Sequence, residues 1–458
     1  MNRLIFVLIS IIAISISVQA QINTLKYSDV DSLFSSNSMV NNMKALNLLK
    51  SKYISDTIKS DYWIKYSLAC YNSYKYTEAF NSIDKAIYID NKNSHAYFEK
   101  AKLIMDIKNN ISEAINLLNI AIKYNKNGEF YFYRGIYHQM SDSISKAISD
   151  YDNAAQLDFE HQGLFRNYSI LLLKSDLPEK ALVYINKGIE LNTEIPDNYK
   201  TRGEIYTLLV EPEKACADFE KARLKGYRKS IDFAEIICST NYSKNKFSST
   251  GQILLKLEKY NFAIKAFDKA IELEKDSSRH YLNRGFCFFK LGNYKNAEQD
   301  YLKALALPES STDMLYDNLS LLYFEQNNFE KSLEYSAKRI KINPGNFVAY
   351  IDRGLSYRKL KKYKQAEKDF DTSLKIKPDF FRALGYRAFL FLELRQYQKS
   401  YDDASRAIKI NPEYGYASLV LAQAKQMLNI PDFCIDYYNA KKYGEEKEAE
   451  KGINEFCK

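Results

Sequence analysis

Glycine and proline are scarce in this chain. Its 458 residues include 15 Gly and 8 Pro, together about 5%, where soluble proteins average about 12%. Because turns depend on these two residue types, their scarcity argues against turn-rich β-sandwiches, collagen-like chains and flexible linkers. It favours long helices with short connections. The aromatic residues are 38 Tyr, 26 Phe and a single Trp, and in a helical protein such rings fill the gaps between helices.

Catalytic and metal-binding patterns are also missing from the sequence. The four histidines, at 95, 138, 161 and 280, stand apart from one another, so none has the paired spacing of metal ligands. The sequence has no Gly-rich phosphate loop, no nucleophile-elbow motif and no CxxC pair. We therefore expect a protein that is not an enzyme and that has no cofactor and no metal site.

Charge is mixed along the chain, without a basic block. The net charge is +9, from 66 Lys and Arg against 57 Asp and Glu. A nucleic-acid-binding protein concentrates its basic residues on one stripe. The pattern therefore indicates a solvated surface, and nucleic acid is not an expected partner.

The first 20 residues are typical of a secretory signal peptide. Arg3 precedes an apolar run over 4–18, which ends in Val-Gln-Ala at 18–20. The run of about 15 residues is shorter than the roughly 20 that span a bilayer, although an uncleaved membrane anchor is the alternative. We expect an exported mature chain in the periplasm, on the cell envelope or secreted, with no later transmembrane helix.

A repeat of about 34 residues runs through the chain. Small residues mark it in two series, at Ala79, Ala114, Ala147, Ala181 and Ala215, and at Ala263, Ala297, Ser332, Ala366 and Ser400. Prolines mark three repeat ends, at Pro344, Pro378 and Pro412. In each unit, apolar residues at helical spacing form two runs, which predicts a helix–turn–helix.

The repeats resemble the tetratricopeptide repeat (TPR) family. Aromatic and small residues of its pattern are matched in the repeat at 278–311 by Tyr281, Gly285, Tyr294, Ala297, Tyr301 and Ala304. The resemblance covers eleven units over about 60–442 and implies an all-α, right-handed superhelical solenoid. The long form is similar to exported bacterial cell-envelope TPR proteins. The next repeat departs from the pattern, with Ser332 and Arg339 where alanine is usual.

The period breaks once, between Ala215 and Ala263, which lie 48 residues apart. Two segments have the same ending: 216–226 followed by Cys238, and 434–444 followed by Cys457. Because the last repeat of a solenoid needs a cap, we infer two consecutive arrays, each ending in a capping helix. Disulfides Cys216–Cys238 and Cys434–Cys457 would hold these caps, with a redox switch as the alternative. Cys70 and Cys287 are predicted to be small buried hydrophobes.

The domain prediction follows from this break. A signal peptide at 1–20 precedes a lead-in at 21–59, which one interpretation makes a degenerate helix pair around Ala45. TPR array one with its capping helix spans 60–240, and TPR array two with its capping helix spans 241–458. A polar joint at 239–246 connects the arrays.

Five repeats carry an arginine in the first helix and an aspartate 16 residues later in the second. The pairs are Arg134–Asp150, Arg202–Asp218, Arg284–Asp300, Arg353–Asp369 and Arg387–Asp403. In the ten full repeats the two residues are present together or absent together, and the capping unit has Asp436 without the arginine. This co-occurrence predicts a partly buried ion pair between the helices. A catalytic or anion-binding site is the alternative.

The TPR resemblance implies that a partner binds where first helices line a concave groove. In array two this face consists of Arg279, Leu282, Phe286, Phe289, Met314, Leu321, Phe324, Ile351, Leu355, Arg358, Arg382 and Phe389. An apolar floor with basic edges suits a protein or peptide segment that carries carboxylates. Alternatively, these side chains fill a tight superhelix or pack on the other array. The family's carboxylate clamp is not expected, because only Asn283 fits it.

The sequence therefore predicts a non-enzymatic scaffold outside the cytoplasm that binds another protein or a peptide. Its partner and its oligomeric state are not given by the sequence. Two other classes stay open: a ligand-capture protein that holds a glycan or small molecule in the groove, and a sensory input module.

Overall fold

The structure is a computed structural model that describes residues 30, 32–33, 38–51, 59–228, 232–238, 243–308 and 310–457. The predicted signal peptide at 1–20 lies outside the described residues, as do much of the lead-in and part of the joint. All regular elements in these ranges are helices. None of the helices in the described ranges is long and apolar enough to cross a bilayer.

Twenty-five α-helices follow one another in the described part of the chain. The first twelve are α1 Met39–Ser51, α2 Ser60–Asn72, α3 Tyr76–Ile89, α4 Ser94–Leu103, α5 Ile111–Tyr124, α6 Gly128–Met140, α7 Ile144–Gln156, α8 Gln162–Lys174, α9 Pro178–Leu191, α10 Pro196–Leu208, α11 Pro212–Leu224 and α12 Asp232–Cys238. A π-helical segment, Ile104–Lys108, continues α4.

The remaining thirteen are α13 Ser243–Lys256, α14 Tyr260–Leu273, α15 Ser278–Lys290, α16 Tyr294–Leu305, α17 Thr312–Glu325, α18 Phe329–Ile342, α19 Phe347–Lys359, α20 Tyr363–Ile376, α21 Phe381–Glu393, α22 Tyr397–Ile410, α23 Gly415–Met427, α24 Phe433–Lys442 and α25 Glu446–Phe456. First and second helices alternate over α2–α11 and over α13–α24. The predicted all-α architecture of repeated helix pairs is confirmed.

The chain forms two compact units, Met1–Tyr206 with Ala217–Lys229, and Thr207–Cys216 with Ser230–Lys458. The predicted boundary at 240–241 stays a prediction. The polar joint predicted at 239–246 is wrong in its last part, since α13 already begins at Ser243. The reason is helix length: α13 has 14 residues, and a first helix needs about three to four turns to reach its connection with the second.

The connection inside each repeat contains a residue with left-handed backbone, and the last connection contains a second one, Asp432. Besides Asp432, these residues are Tyr74, Asn109, Asp142, Asp176, Val210, Glu258, Gly292, Asn327, Lys361, Arg395 and Asn429. After the left-handed residue, the next amide closes the helix end, as where the Lys362 N–H donates to the Tyr357 carbonyl at 2.8 Å. Only one of the eleven is glycine, so the chain makes these turns without the usual glycine and stays glycine-poor.

In five repeats a glycine lets the two helices approach each other closely. A Cβ added to Gly354 on α19 would lie 2.8 Å from Cε1 of Phe370 on α20. The ring therefore packs directly on the backbone of the first helix. Four other repeats have the same contact: Gly135 with Tyr151, Gly203 with Phe219, Gly251 with Phe267, and Gly285 with Tyr301.

Serine takes the place of this glycine in other repeats. Ser67 donates to the Ala79 carbonyl at 2.7 Å, and Ser169 donates to the Ala181 carbonyl at 3.1 Å. In the atypical repeat at 312–346, the buried Ser332 lies 3.2 Å from Ser320 Oγ and 2.9 Å from Ser356 Oγ. Hydrogen bonds between serines thus replace the usual alanine contact there.

Both capping helices are joined to a repeat by the predicted cysteine pairs. In the structure Cys216 is bonded to Cys238, with Cα atoms 5.5 Å apart, and Cys434 to Cys457, with Cα atoms 5.6 Å apart. Cys70 and Cys287 are free and buried. Within the lead-in, α1 buries Ala45 and belongs to the core cluster that includes residues of α2.

We predict that Gly354→Ala lowers the free energy of unfolding by about 1–2 kcal/mol. The added methyl group would force Phe370 away, which costs about 1–3 kcal/mol and outweighs the helix propensity that alanine adds. Urea denaturation followed by circular dichroism measures this change. Gly345→Ala is the control, because the nearest atom to its added Cβ is Asn343 Oδ1 at 3.4 Å. Equal stability of the two variants would contradict the close-approach argument.

Candidate functional site

The five predicted arginine–aspartate pairs are all present as two-point ion pairs. In the pair between α19 and α20, Arg353 donates from Nε and Nη2 to Asp369, at 2.8 and 2.7 Å. The corresponding bonds of Arg134, Arg202, Arg284 and Arg387 measure 2.6–2.9 Å. The aspartates are buried, whereas the arginine side chains keep about a fifth of their exposure. Fork geometry of this kind gives strong, directional pairing.

Four of these arginines also reach the preceding repeat, which the sequence analysis missed. Their Nη1 groups donate to Asn119, Asn186, Asp268 and Asp371 at 2.6–2.9 Å. Three of these partners stand 16 residues before the arginine. This constant spacing could have revealed the contacts between repeats from the sequence. One guanidinium therefore ties the second helices of two neighbouring repeats to the first helix between them.

Arg353 is different, because Ala337 stands 16 residues before it. In the described chain its one ion pair is with Asp369. The neighbouring cation is Arg339 on α18, which is 9% exposed. Arg339 Nη1 binds Asp317 and Asp352, the latter at 3.1 Å. The outlier noted in the sequence is therefore the centre of a charged network.

This network has more carboxylates than cations. Asp313 lies 3.4 Å from Arg339 Nε, so three carboxylates surround one guanidinium. Burial, followed by the negative charge of Asp317, raises the pKa of Asp352 to about 7. Burial also raises the pKa of Asp317. Because of this excess negative charge, we expect the stability of these two repeats to depend on pH.

In the capping unit, a lysine takes the place of the arginine as the partner of the buried aspartate. Asp436 has no arginine partner but lies 2.7 Å from Lys425 Nζ on α23. Burial nonetheless raises the pKa of Asp436. The aspartate that seemed unpaired in the sequence therefore has its cation on a different turn of the first helix.

We predict that Arg353→Ala and Asp369→Ala are strongly non-additive. Each single change leaves a partly buried partner without its counterion and costs about 3–5 kcal/mol, whereas the double change leaves none. We expect a coupling energy of about 1.5–3 kcal/mol from a double-mutant cycle in urea denaturation. This pair is the cleanest of the five, because Arg353 is the one of these arginines that binds no side chain of the preceding repeat in the described chain. Additive effects would show that the two side chains do not act as a pair.

We predict that Asp352→Asn removes a pH-dependent loss of stability. The raised pKa means that the folded state keeps a proton that the unfolded chain releases above about pH 4. Stability contributed by this group therefore falls as pH rises from about 4 to about 7, and is level above that. The side chain keeps 32% exposure, so solvent weakens the effect, and we expect the variant to gain about 1–2 kcal/mol relative to the parent between about pH 4.5 and 8.

Denaturation midpoints of Asp352→Asn and of the parent, at about pH 4.5 and about pH 8, measure this gain. Asp379→Asn makes the same charge change at an exposed turn residue and serves as the control. A stability difference between Asp352→Asn and the parent that is the same at both pH values would contradict the prediction.

The twelve predicted groove residues differ in exposure. Exposed are Arg279, Met314, Leu321 and Arg382; half-buried are Phe286, Phe289, Phe324, Leu355, Arg358 and Phe389; buried are Leu282 and Ile351. The last two belong to core clusters between the helices. Leu282 and Ile351 were predicted to line the groove, and this prediction is wrong. Both side chains pack in the core beneath the exposed residues of this face. We call the other ten residues the first-helix face.

One predicted basic edge is already occupied. Arg358 Nη1 lies 3.2 Å from Glu393 Oε1, and its guanidinium carbon is 4.7 Å from the centre of the Phe389 ring. Arg358 is thus bound within the protein, while Arg279 and Arg382 stay exposed.

A cavity of about 530 Å³ lies at the end of the second unit. Its lining comes from α21 to α25 and includes Phe389 of the first-helix face, Gln423 and Tyr437. The sequence analysis missed this cavity, because it depends on where the capping helix α25 packs.

The described residues offer little for metal binding or for thiol chemistry. No three His, Cys, Asp or Glu side chains in them are placed to hold a metal ion. Burial raises the pKa of Cys70 to about 11 and that of Cys287 to about 12. Thiols of this kind are poor nucleophiles at neutral pH.

Family models and curated relatives match the repeats. One tetratricopeptide repeat model matches 278–307 and 347–380, and a second matches 250–277 and 315–346. A TPR repeat-containing protein of Methanocaldococcus jannaschii is 26% identical over 253 residues, covering 54% of this chain and 43% of its own. Hsp70-Hsp90 organizing protein 3 of Arabidopsis thaliana is 25% identical over 226 residues, covering 44% and 40%. The chain thus spans less than half the length of these two relatives.

Solved structures with long alignments include the Cut9–Hcn1 hetero-tetramer of APC/C and yeast Tom70. The first is 13% identical with a TM-score of 0.43 and covers 96% of this chain and 98% of the other. The second is 16% identical with a TM-score of 0.38 and covers 93% of each. With the repeat models matched at four segments between 250 and 380 and the helix pairs in place, the chain contains tetratricopeptide repeats.

Proposed function

We propose that this protein is a non-enzymatic scaffold that binds a protein or peptide segment along the first-helix face, outside the cytoplasm. The observation that carries the proposal is the incomplete burial of large apolar side chains on successive first helices. Met314 and Leu321 are 56% and 46% exposed, next to half-buried phenylalanines. Apolar side chains in such a row favour a partner segment.

The face is apolar in the middle and cationic at separate points. Phe286 and Phe289 on α15 and Phe324 on α17 supply rings, and Arg279 and Arg382 supply exposed positive charge. A segment with apolar anchors and carboxylates matches this pattern, because rings provide contact area and arginine forks bind carboxylates.

Two features support a location outside the cytoplasm. Each capping helix carries a disulfide, and disulfides form and persist in oxidising compartments. The predicted signal peptide at 1–20 agrees with this. The proposal therefore includes export to the cell envelope or the medium.

The test is cross-linking from defined positions in the native cell. A photoreactive phenylalanine analogue replaces Met314 or Leu321 and, as the control, Ile342, which is 52% exposed on a second helix. We expect one protein to be captured from the first two positions and not from the third. Capture should fall by about tenfold or more in Phe286→Ala/Phe289→Ala, because two aromatic anchors are lost.

Three outcomes would contradict the proposal. Equal capture from Ile342 would place the partner elsewhere, and capture unchanged in the double variant would remove the role of the rings. No captured protein at all would favour the ligand-capture class, which a glycan screen would then examine.

A further inference from the structure

The cavity in the second unit has walls unlike the rest of the first-helix face. Its rings are Phe389, Tyr397, Tyr437 and Phe456, and its charged residues are Glu393, Glu448, Lys451 and Glu455. Its volume of about 530 Å³ is in the range of ligand sites, which combine apolar walls with a few polar groups. Aromatic rings and carboxylates together are the groups that bind an organic cation.

The carboxylates at the cavity outnumber the cations. Glu393 is paired with Arg358 at the rim. Glu448 and Glu455 lie three residues before and four residues after Lys451 on α25, so these two carboxylates share one side of the helix with a single ammonium group. With Arg358 and Lys451 both counted, one carboxylate is left over. The lining is therefore one positive charge short of neutrality.

The rim already shows how a basic side chain binds to these groups. The Arg358 guanidinium lies over the Phe389 ring and against Glu393. It thus combines a cation–π contact with an ion pair. In the cavity lining, the half-buried Tyr397 and the exposed Phe456 are the rings, and the exposed Glu448 and Glu455 are the carboxylates, that offer the same two kinds of group to a second cation.

Two contacts hold the α25 wall in position. Gly452 packs on Tyr437 so closely that an added Cβ would lie 2.3 Å from the ring. Cys457, next to Phe456, is bonded to Cys434 on α24. Because this wall is fixed to the last repeat, the carboxylates and rings do not need to be ordered when a ligand binds, which reduces the entropic cost.

We propose that this cavity binds one arginine or lysine side chain of a partner peptide. The inference rests on the proposed peptide-binding function and adds the chemistry of one anchor. A peptide is the occupant because Phe389 belongs both to the cavity and to the first-helix face, so a bound segment passes from one to the other. The cavity binds a basic side chain of the peptide, whereas Arg279 and Arg382 favour its carboxylates. Because these sites prefer opposite charges, the segment binds in one direction.

The experiment measures binding of N-acetylated heptapeptide pools to the full mature chain. The central residue of each pool is arginine, lysine, glutamine or glutamate, and the other positions are randomised. At about 150 mM salt, where non-specific attraction is screened, we expect the arginine and lysine pools to bind about tenfold more tightly than the glutamine pool. The preference should disappear in Glu448→Gln/Glu455→Gln.

Glu446→Gln/Glu450→Gln is the matched control, since it makes the same charge change on α25 outside the cavity lining. The control should keep the preference. Equal binding of all pools, or a preference that survives Glu448→Gln/Glu455→Gln, would overturn the inference. N-acetyl-arginine amide that binds as tightly as the arginine pool would also overturn it, because the site would then hold a small amine rather than a peptide.

The two proposals fail in different ways. If the pools show no preference while Met314 and Leu321 still capture a protein, the scaffold stands and the basic anchor is wrong. If the arginine preference is present and lost in Glu448→Gln/Glu455→Gln while no protein is captured, the anchor stands and the proposed scaffold is wrong.

Discussion

The close approach of the two helices at a small residue is the contact on which the repeats depend, and in five of them an aromatic ring packs on the bare backbone of a glycine. It sets the distance between first and second helix, as between Gly354 and Phe370. Serine can stand in the same position, since its hydroxyl donates to the facing carbonyl, as Ser67 does. Because close helix pairing recurs with the repeat, first helices lie next to first helices within a unit, and their remaining side chains form a face there.

Buried charge makes neighbouring repeats depend on each other. An arginine of the first helix binds an aspartate of its own repeat and, in four cases, an acceptor of the preceding one. Ala337 stands where Arg353 would need such an acceptor. In this repeat Arg339 of the second helix binds three carboxylates instead. The same chain therefore uses ion pairs for rigidity in most repeats and, in one place, holds a carboxylate whose proton is lost near neutral pH.

The capping helix α25 does more than cover the last repeat. Its fixed position against Tyr437 turns an open end into a cavity with rings on its walls and one unmatched carboxylate. The cavity has no counterpart in the sequence pattern, because its walls come from five helices, of which four belong to ordinary repeats and the fifth is the cap. A cap of this kind gives a periodic protein one non-periodic site.

The sequence by itself determined the repeat, the helix pairs, the cysteine pairing and the arginine–aspartate pairs. These features are local or recur at a constant spacing, so Arg353 and Asp369 can be matched by counting residues. The tertiary structure decided what depends on the direction of side chains and on contacts between repeats. It placed Leu282 and Ile351 in the core, bound Arg358 to Glu393 and made Arg339 the centre of a network. Spacing along a chain fixes which helix a residue lies on, but only packing decides which neighbours its side chain contacts and how much water it loses.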